Sequence, residues 1–415
     1  VNTNGKNLDA VFQSQQKLYN VMAYGEYTFE GDANITPYFE AMYSRAEVFA
    51  DNTGSPQLFP YVPDNNQFNP CFRVADGGSG VDCPLADNVF LGGNFNPNVG
   101  ISLPVNPITA IRGDRNNTDV KLEQYRGVFG IKGDLPFISP SWTFDTSFVY
   151  SRSEGVSIRR GIREDKLAFA LGLDPTADYN GDGVVDRDGD GLADDYDNNF
   201  QPFGLFGDPQ VIGACNAAGL ANPSLAMADL TQGCVPVNMF APSVLTGAIG
   251  DFATQAERDY VFGVRRFDTK YEQMILSAFA TGDLFELPAG PVGAVVGFEV
   301  RKDKIDSRPN EVAGNGLLFG FFKDRGAVGS KTIKEAFAEV DIPLKADEFL
   351  VQELNLNLAG RVTDEEFYGT NFTYSVKANW RPVDAFNLKF AYGASFRAPN
   401  VRESFLVGQS GFLNI

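Results

Sequence analysis

The chain has 415 residues, a formal net charge of −19 and no histidine. The negative charge argues against a nucleic-acid partner, because binding to phosphates requires a basic surface. The lack of histidine excludes Ser-His-Asp and Cys-His catalysis and histidine-ligated zinc, and no other nucleophile–base set suggests an enzyme. No apolar run reaches the length of a transmembrane helix. Because the chain begins with Val1, we expect it to be a processed product or a fragment.

Apolar and polar residues alternate with a period of two along most of the regular sequence, which is typical of β-strands with one apolar face. The stretch YNVMAYGEYTF places Tyr19 and Val21 on one face and Asn20 on the other, and ELNLNLAGRV separates Leu356 from Asn357. Helical periodicity is weak and is confined to about 163–171 and 224–230. We predict ten strands, at about 17–29, 35–48, 121–134, 141–156, 268–286, 291–305, 331–344, 352–364, 371–381 and 386–398.

The connections between the predicted strands differ strongly in length. Short turns such as EGDAN, PAG and VDA join strands in pairs, and long connections at 49–120, 157–267 and 306–330 separate the first pairs. A compact soluble domain rarely contains such long loops. Outer-membrane barrels have short periplasmic turns and long extracellular loops. The pattern therefore predicts that 1–415 is part of a barrel and that its long connections are extracellular.

The two faces of the predicted strands carry different residues. The polar face carries repeated charges, such as Lys377 and Arg381 or Glu335 and Glu339. The apolar face ends in aromatic residues such as Trp380, as expected where a barrel meets the lipid–water interfaces. We therefore predict an all-β fold, a transmembrane antiparallel β-barrel in contact with outer-membrane lipid. A soluble β-sandwich or propeller, with the apolar face in its core, is the alternative.

The four cysteines form two local pairs, Cys71 with Cys83 and Cys215 with Cys234. Neither pair has the CxxC spacing of a zinc or thioredoxin site, and each lies in a stretch rich in Gly, Pro and Asn. We predict two loop disulfides, formed in an oxidising compartment. Four free, buried thiols are the alternative.

The stretch YGASFRAPNVRESF, from Tyr392 to Phe405, resembles the barrel signature of TonB-dependent outer-membrane receptors. In that family a late strand ends in an aromatic residue and Arg-Ala-Pro-Asn, followed by a hydrophobic residue, a variable one and Glu, which here run from Phe396 to Glu403. PVGAVVGFEVRKDKI and SKTIKEAFAEVDIPL resemble other strands of the family, and DNTGSPQLFPYVPDNNQFNP resembles an early loop. The resemblance covers most of the strand-bearing chain.

The resemblance implies a bacterial outer-membrane receptor with a 22-stranded barrel closed by an N-terminal plug. About ten of those strands are present here, and we expect the plug and the TonB box to lie outside this chain. The implied function is active import of a scarce small-molecule or oligomeric nutrient, with energy from the TonB complex acting through the plug. Siderophore, cobalamin, oligosaccharide and peptide remain open as substrates. The substrate-binding residues stay unknown, because Glu335, Lys377 and Arg397 fit structural wall charges equally well.

The segment DYNGDGVVDRDGDGLADDYD, at 178–197, combines a dense cluster of aspartates with glycines at fixed offsets. Its second half follows an EF-hand-type calcium loop, with Gly191 at position 6. The ligands at positions 1, 3, 5, 7, 9 and 12 would be Asp186, Asp188, Asp190, Leu192, Asp194 and Asp197. Position 12 is Glu in an EF-hand, and Asp there resembles dockerin loops and thrombospondin type 3 repeats instead.

An overlapping first loop precedes this one and has no acid at its own position 12, which is Gly189. Its ligands would be Asp178, Asn180, Asp182, Val184 and Asp186. We predict that the segment binds one or two calcium ions. The alternative is a solvated acidic loop, which explains the charge but not the glycine offsets.

Two other functions are kept beside the nutrient receptor. The first is a calcium-dependent surface adhesion or interaction protein that uses the acidic segment directly. The second is a passive porin. Permeability after reconstitution separates them, because a porin conducts without an energy source and an adhesin need not transport.

Overall fold

The structure, a computed structural model, describes residues 13–51, 57–81, 83–84, 100–111, 115–178, 185, 210–245 and 250–408. Its strands are β1 Gln15–Glu26, β2 Thr36–Ala50, β3 Gln57–Leu58, β4 Cys83–Pro84, β5 Gly100–Ile101, β6 Thr109–Ala110, β7 Thr118–Asp134, β8 Thr143–Ile162, β9 Phe262–Leu287, β10 Gly290–Pro309, β11 Ala327–Glu348, β12 Val351–Glu365, β13 Gly369–Val383 and β14 Phe386–Ala394. Ten of them form one sheet in the order β1-β2-β7-β8-β9-β10-β11-β12-β13-β14, with antiparallel neighbours throughout. The remaining four form two small sheets, β3 with β6 and β4 with β5.

The ten predicted strands are the ten strands of the large sheet, but several ends differ. β8 continues to Ile162 and β9 begins at Phe262, beyond the predicted limits of 156 and 268. At these ends both faces carry charges, so the alternation fades while the backbone pairing continues. β14 ends at Ala394 rather than 398, because the chain then leaves the sheet and folds back over its polar face.

The register aligns apolar side chains on one face of the sheet and polar side chains on the other. Leu358 lies opposite Val376, which lies opposite Tyr392, whereas Asn357 lies opposite Lys377. Large apolar side chains remain exposed across the apolar face, including those of Phe39, Phe129, Phe148, Leu276, Val296, Phe298, Val362, Phe372, Trp380, Leu388, Phe390 and Tyr392. A continuous apolar surface of this extent is unfavourable in water and suits contact with lipid. The predicted division of each strand into an apolar and a polar face is confirmed.

The helices all lie outside the large sheet. They are α1 Glu164–Leu171, α2 Pro242–Leu245, α3 Gln255–Val261, α4 Glu311–Gly314 and α5 Val401–Ser404. Among the residues that the structure describes, no helix combines the length and the hydropathy needed to cross a membrane.

The described parts of the three long connections, 51–117, 163–261 and 310–326, pack against one another into a single body, which we call the cap. Its core joins Leu58 and Ile111 of the first connection to Phe169 and Val261 of the second, all with fully buried side chains. Bridges between Ile111 and Gly250 and between Arg163 and Leu318 tie the three connections together. The cap therefore folds as one unit rather than as three independent loops.

One of the two weak helical signals is confirmed and the other is wrong. The signal at 163–171 corresponds to α1, whose apolar side chains fill the cap core. The signal at 224–230 corresponds only to one 3₁₀ turn, Pro223–Leu225, after which Ala226 returns to extended backbone at φ −80° and ψ 142°.

Candidate functional site

The segment that follows β14, residues 395–408, lies across the polar face of the sheet, and we call it the return segment. Leu406 pairs with Ala327 at the start of β11, and the Val407 amide donates a hydrogen bond to the Gly326 carbonyl over 3.3 Å. Val401 is buried against Ile305 and Ala327 in a small apolar cluster. These contacts fix the return segment to β10 and β11, at the end of the strands where the long connections lie.

The FRAPNVRESF stretch builds a self-capped turn within the return segment. The Asn400 side chain accepts a hydrogen bond from the backbone amide of Glu403 at 2.8 Å. The Glu403 carboxylate accepts one from the backbone amide of Asn400 at 2.6 Å. This capping box starts α5. The guanidinium of Arg397 donates to both oxygens of Glu403, at 2.8 and 2.9 Å. The Asn400 amide and then Arg397 hold the pKa of the Glu403 carboxyl below its usual range.

A buried ion pair anchors this turn to the sheet. Lys331 Nζ on β11 lies 3.0 Å from Glu365 Oε1 on β12, and the two side chains are only 3% and 0% exposed. The ammonium also donates to the Pro399 carbonyl of the return segment at 2.5 Å. The second carboxylate oxygen of Glu365 accepts from the amides of Phe367 and Tyr368. One carboxylate oxygen thus accepts two backbone hydrogen bonds, and the other lies in the ion pair with Lys331.

A cavity of about 810 Å³ lies between the return segment and the polar face of β9–β13. Its size is within the range of small-molecule sites. Five basic side chains line it, namely Arg301, Lys331, Arg361, Arg397 and Arg402. Three acidic side chains line it, namely Asp303, Glu335 and Glu365. The lining is therefore more basic than acidic, although the chain as a whole carries a net charge of −19.

The three polar-face residues considered in the sequence are placed differently. Glu335 and Arg397 both line the cavity, and Glu335 pairs with Arg361 over 3.0 Å. Lys377 lies on the same face but is not part of the lining. Asp303 was missed, although it is buried and accepts hydrogen bonds from the Tyr271 hydroxyl and the Gln273 amide, both at 2.9 Å. It lies in the run RKDKID, where charges on both faces hide the alternation.

A second charged cluster fixes the cap. Arg163 is 3% exposed and pairs with Asp165, and its guanidinium also reaches both oxygens of Asp229 at 3.2 Å. Lys166 adds a contact with Asp229 at 2.8 Å. Partial burial acts to raise the pKa of Asp229, but Lys166 and Arg163 outweigh it and hold that pKa below its usual range. All of these groups are used in holding α1 against the 210–245 stretch, which gives the cluster a structural role.

One of the two predicted cysteine pairs is seen directly. Cys215 and Cys234 form a disulfide with a Cα–Cα distance of 5.7 Å, within the second connection of the cap. Cys71 is also disulfide-bonded, and none of the described cysteines is free. The side chain of its predicted partner, Cys83, lies outside what the structure describes.

The predicted calcium segment falls almost entirely outside the described residues. Of its proposed ligands only Asp178 is described, whereas Asn180, Asp182, Val184, Asp186, Asp188, Asp190, Leu192, Asp194 and Asp197 are not. The two ends of the excursion are fixed to each other, because Leu173 pairs with Val211 and the Asp174 amide donates to the Gln210 carbonyl at 3.0 Å. Within the described part of the chain, no group of three or more His, Cys, Asp or Glu side chains is arranged to hold a metal ion.

A meander of long antiparallel strands with an exposed apolar face, a charged polar face and a loop-built cap defines the wall of an outer-membrane β-barrel. The sequence model of the family described as "TonB dependent receptor-like, beta-barrel" matches residues 169–414, and the chain belongs to this family. The resemblance stated from the FRAPN stretch is thereby confirmed. The family consists of transport receptors rather than enzymes, which agrees with the expectation from the sequence.

The solved structures similar to this chain include the two that follow. The translocator domain of the autotransporter NalP from Neisseria meningitidis has 8% identity and a TM-score of 0.22, with 94% of this chain and 86% of that chain covered. A mutant ferric enterobactin receptor from Pseudomonas aeruginosa, in complex with enterobactin, has 11% identity and a TM-score of 0.31. That alignment covers 94% of this chain and 46% of the receptor, so this chain spans less than half of the receptor's length. No curated protein matches the sequence.

Proposed function

We propose that the chain is the wall of a receptor that binds a scarce nutrient and imports it with energy from the TonB complex. The observation that carries this proposal is the cavity between the return segment and the polar face. It lies at the same end of the strands as the cap, where a molecule entering from outside the cell would first meet the wall if the long loops are extracellular. The signature stretch forms one side of it, and family membership favours a receptor over an adhesin or a porin.

Energy coupling is tested by uptake in intact cells. Cells with and without the receptor are supplied with a labelled ferric siderophore, cobalamin, an oligosaccharide or a peptide under starvation for that nutrient. We expect the receptor to increase accumulation of one of them, and a protonophore or deletion of TonB to abolish the increase. Uptake that persists without TonB would instead indicate a passive porin.

We further propose that the segment 178–197 binds calcium. The support is the spacing of its acids and glycines, together with the pairing of Leu173 with Val211, which holds the two ends of the excursion next to each other. In this proposal calcium shapes one outer surface of the receptor. If that surface alone binds a partner, calcium-dependent binding without uptake would be measured, as expected for an adhesin.

A further inference from the structure

Two arginines lie next to each other on the polar face of the sheet, at directly opposed positions of two adjacent strands. Arg159 on β8 and Arg265 on β9 are register partners, at the end of the strands next to the cap. Like charges in directly opposed positions destabilise a pair of strands. Both guanidiniums also lie over the ring of Phe321, at 4.9 and 5.3 Å from its centre, so one aromatic side chain of the cap holds the two cations together.

A third arginine reaches the same place from the return segment. Arg402 lies 3.1 Å from Asp324 Oδ2, and Arg265 lies 3.7 Å from that same oxygen. The Arg159 guanidinium donates to a neutral group, the Thr118 hydroxyl, at 2.8 Å. The Nε of Arg265 is buried and has no hydrogen-bond partner. Three cations from three separate elements thus lie close together, and one carboxylate pairs with only two of them.

The arginines next to them in sequence show that this deficit of negative charge is local. Arg160 and Arg266 point to the opposite face, and each has its own carboxylate, Asp119 at 2.6 Å and Asp268 at 2.7 Å. The chain has 53 acidic and 34 basic residues, so acids are abundant. An uncompensated group of arginines in such a chain destabilises the fold locally, because the like charges repel one another. Such locally unfavourable arrangements are typical of binding sites.

We propose that Arg159, Arg265 and Arg402, with Phe321, form the site that recognises an oxyanion of the imported nutrient, a carboxylate or a phosphate. The inference rests on the proposed receptor function and names its substrate class. The guanidinium fork binds either oxyanion with two parallel hydrogen bonds, and partial burial strengthens those bonds. Arg402 also lines the cavity, so the arginine cluster continues into a space large enough for the rest of the molecule.

Binding of citrate and of inorganic phosphate to the detergent-purified receptor tests the proposal by titration calorimetry, with maltotriose as a neutral control. Loss of one charge-assisted contact is expected to weaken binding by about tenfold or more. Arg159→Gln and Arg265→Gln should show this loss. Arg160→Gln and Arg266→Gln remove the same charge from the opposite face and should bind like the unmodified receptor. The anion that binds with the higher affinity, citrate or phosphate, identifies the recognised group of the nutrient as a carboxylate or a phosphate.

Folding is checked in every variant by heat-modifiable gel mobility. Arg265→Lys, which keeps the charge and loses the fork, should bind with intermediate affinity. If Arg265→Gln does not fold, Arg159→Gln and Arg402→Gln decide the outcome. The proposal is overturned if neither anion binds. It is also overturned if the polar-face variants Arg159→Gln and Arg265→Gln bind as tightly as the opposite-face variants Arg160→Gln and Arg266→Gln. Because binding is measured without TonB, a receptor that binds citrate but fails to import refutes the proposed transport and leaves the anion site standing.

Discussion

Lys331 on β11 and Glu365 on β12 form an ion pair of 3.0 Å that is almost completely removed from solvent. The same ammonium holds the Pro399 carbonyl, so one side chain joins two strands of the wall to the return segment. The signature stretch is therefore explained in part by structure. It presents a carbonyl to a buried cation and then turns by means of its own capping box.

Removal of Lys331 should strongly destabilise this end of the wall. Lys331→Met leaves the Glu365 carboxylate buried without a cation, which is expected to lower the free energy of unfolding by about 3–5 kcal/mol. Urea titration in detergent, followed by tryptophan fluorescence, measures the change. The double variant Lys331→Met with Glu365→Leu should recover much of the loss, since no buried charge then remains.

The matched control lies on the same strand. Lys345 pairs with Glu348 over 2.7 Å, but both side chains are more than half exposed. Lys345→Met is therefore expected to cost less than about 1 kcal/mol. Equal effects of the two lysine substitutions would show that the Lys331 pair does not contribute as its burial implies.

Cysteines introduced on β12 and β13 should report the two faces of the wall. In outer membranes of intact cells, Leu356→Cys and Val376→Cys should be shielded from a water-soluble maleimide and react with a lipid-phase probe. Asn357→Cys and Lys377→Cys should be shielded from the lipid-phase probe. Labelling of positions 356 and 376 from water would contradict a wall in contact with lipid.

A charge placed on either face gives a second, energetic test. Leu356→Arg on the apolar face should destabilise the folded receptor by about 2–4 kcal/mol if it lies at mid-depth, because lipid does not solvate the guanidinium. Assembly should be impaired as a result. Asn357→Arg should be tolerated, since it joins a face that already carries Glu339 and Lys377. Both outcomes are read from the fraction of folded receptor in the outer membrane.

Peptide mapping under non-reducing conditions should recover Cys71 linked to Cys83 and Cys215 linked to Cys234. Each bridge closes a short loop and should contribute about 3 kcal/mol according to chain-entropy arguments. Substitution of both Cys215 and Cys234 by Ser should increase protease cutting within 210–245. Recovery of a peptide that links Cys71 to Cys215 would contradict the predicted pairing.

Calcium should protect the segment 178–197 from proteolysis. Bound calcium neutralises the mutual repulsion of its aspartates, and the stabilisation grows with free calcium concentration. Cutting in this segment should increase with a chelator and decrease again when calcium is restored. Asp190→Asn with Asp194→Asn should remove the difference. Identical cutting with and without calcium in the unmodified protein would refute the site.

The strands were predictable from sequence because a wall between lipid and water imposes a period of two on each strand separately. The faces on which Leu356 and Asn357 lie follow from the alternation of the residues immediately around them. The ends of β8 and β9 were not predictable, because Arg159 and Arg160 place the same charge on both faces. There only the backbone pairing, which leaves no trace in the composition, continues the strand.

The candidate site was only partly predictable, because it depends on contacts between distant residues. Arg159 and Arg265 are separated in sequence by the whole of the second connection and become neighbours only when β8 pairs with β9. Lys331 meets Pro399 only after the chain has turned back from β14. The local sequence identified the FRAPN stretch as a signature, but it contained no information about which side chains that stretch would contact.

The shared core of the cap has a consequence for the order of assembly. Leu58 and Ile111 emerge with the first connection, but the surfaces that bury them, around Phe169 and Val261, belong to the second. The apolar side chains of the first connection therefore stay uncovered until the second connection packs against them. Closure of the cap core thus couples the first connection to the second and cannot be completed by either one alone.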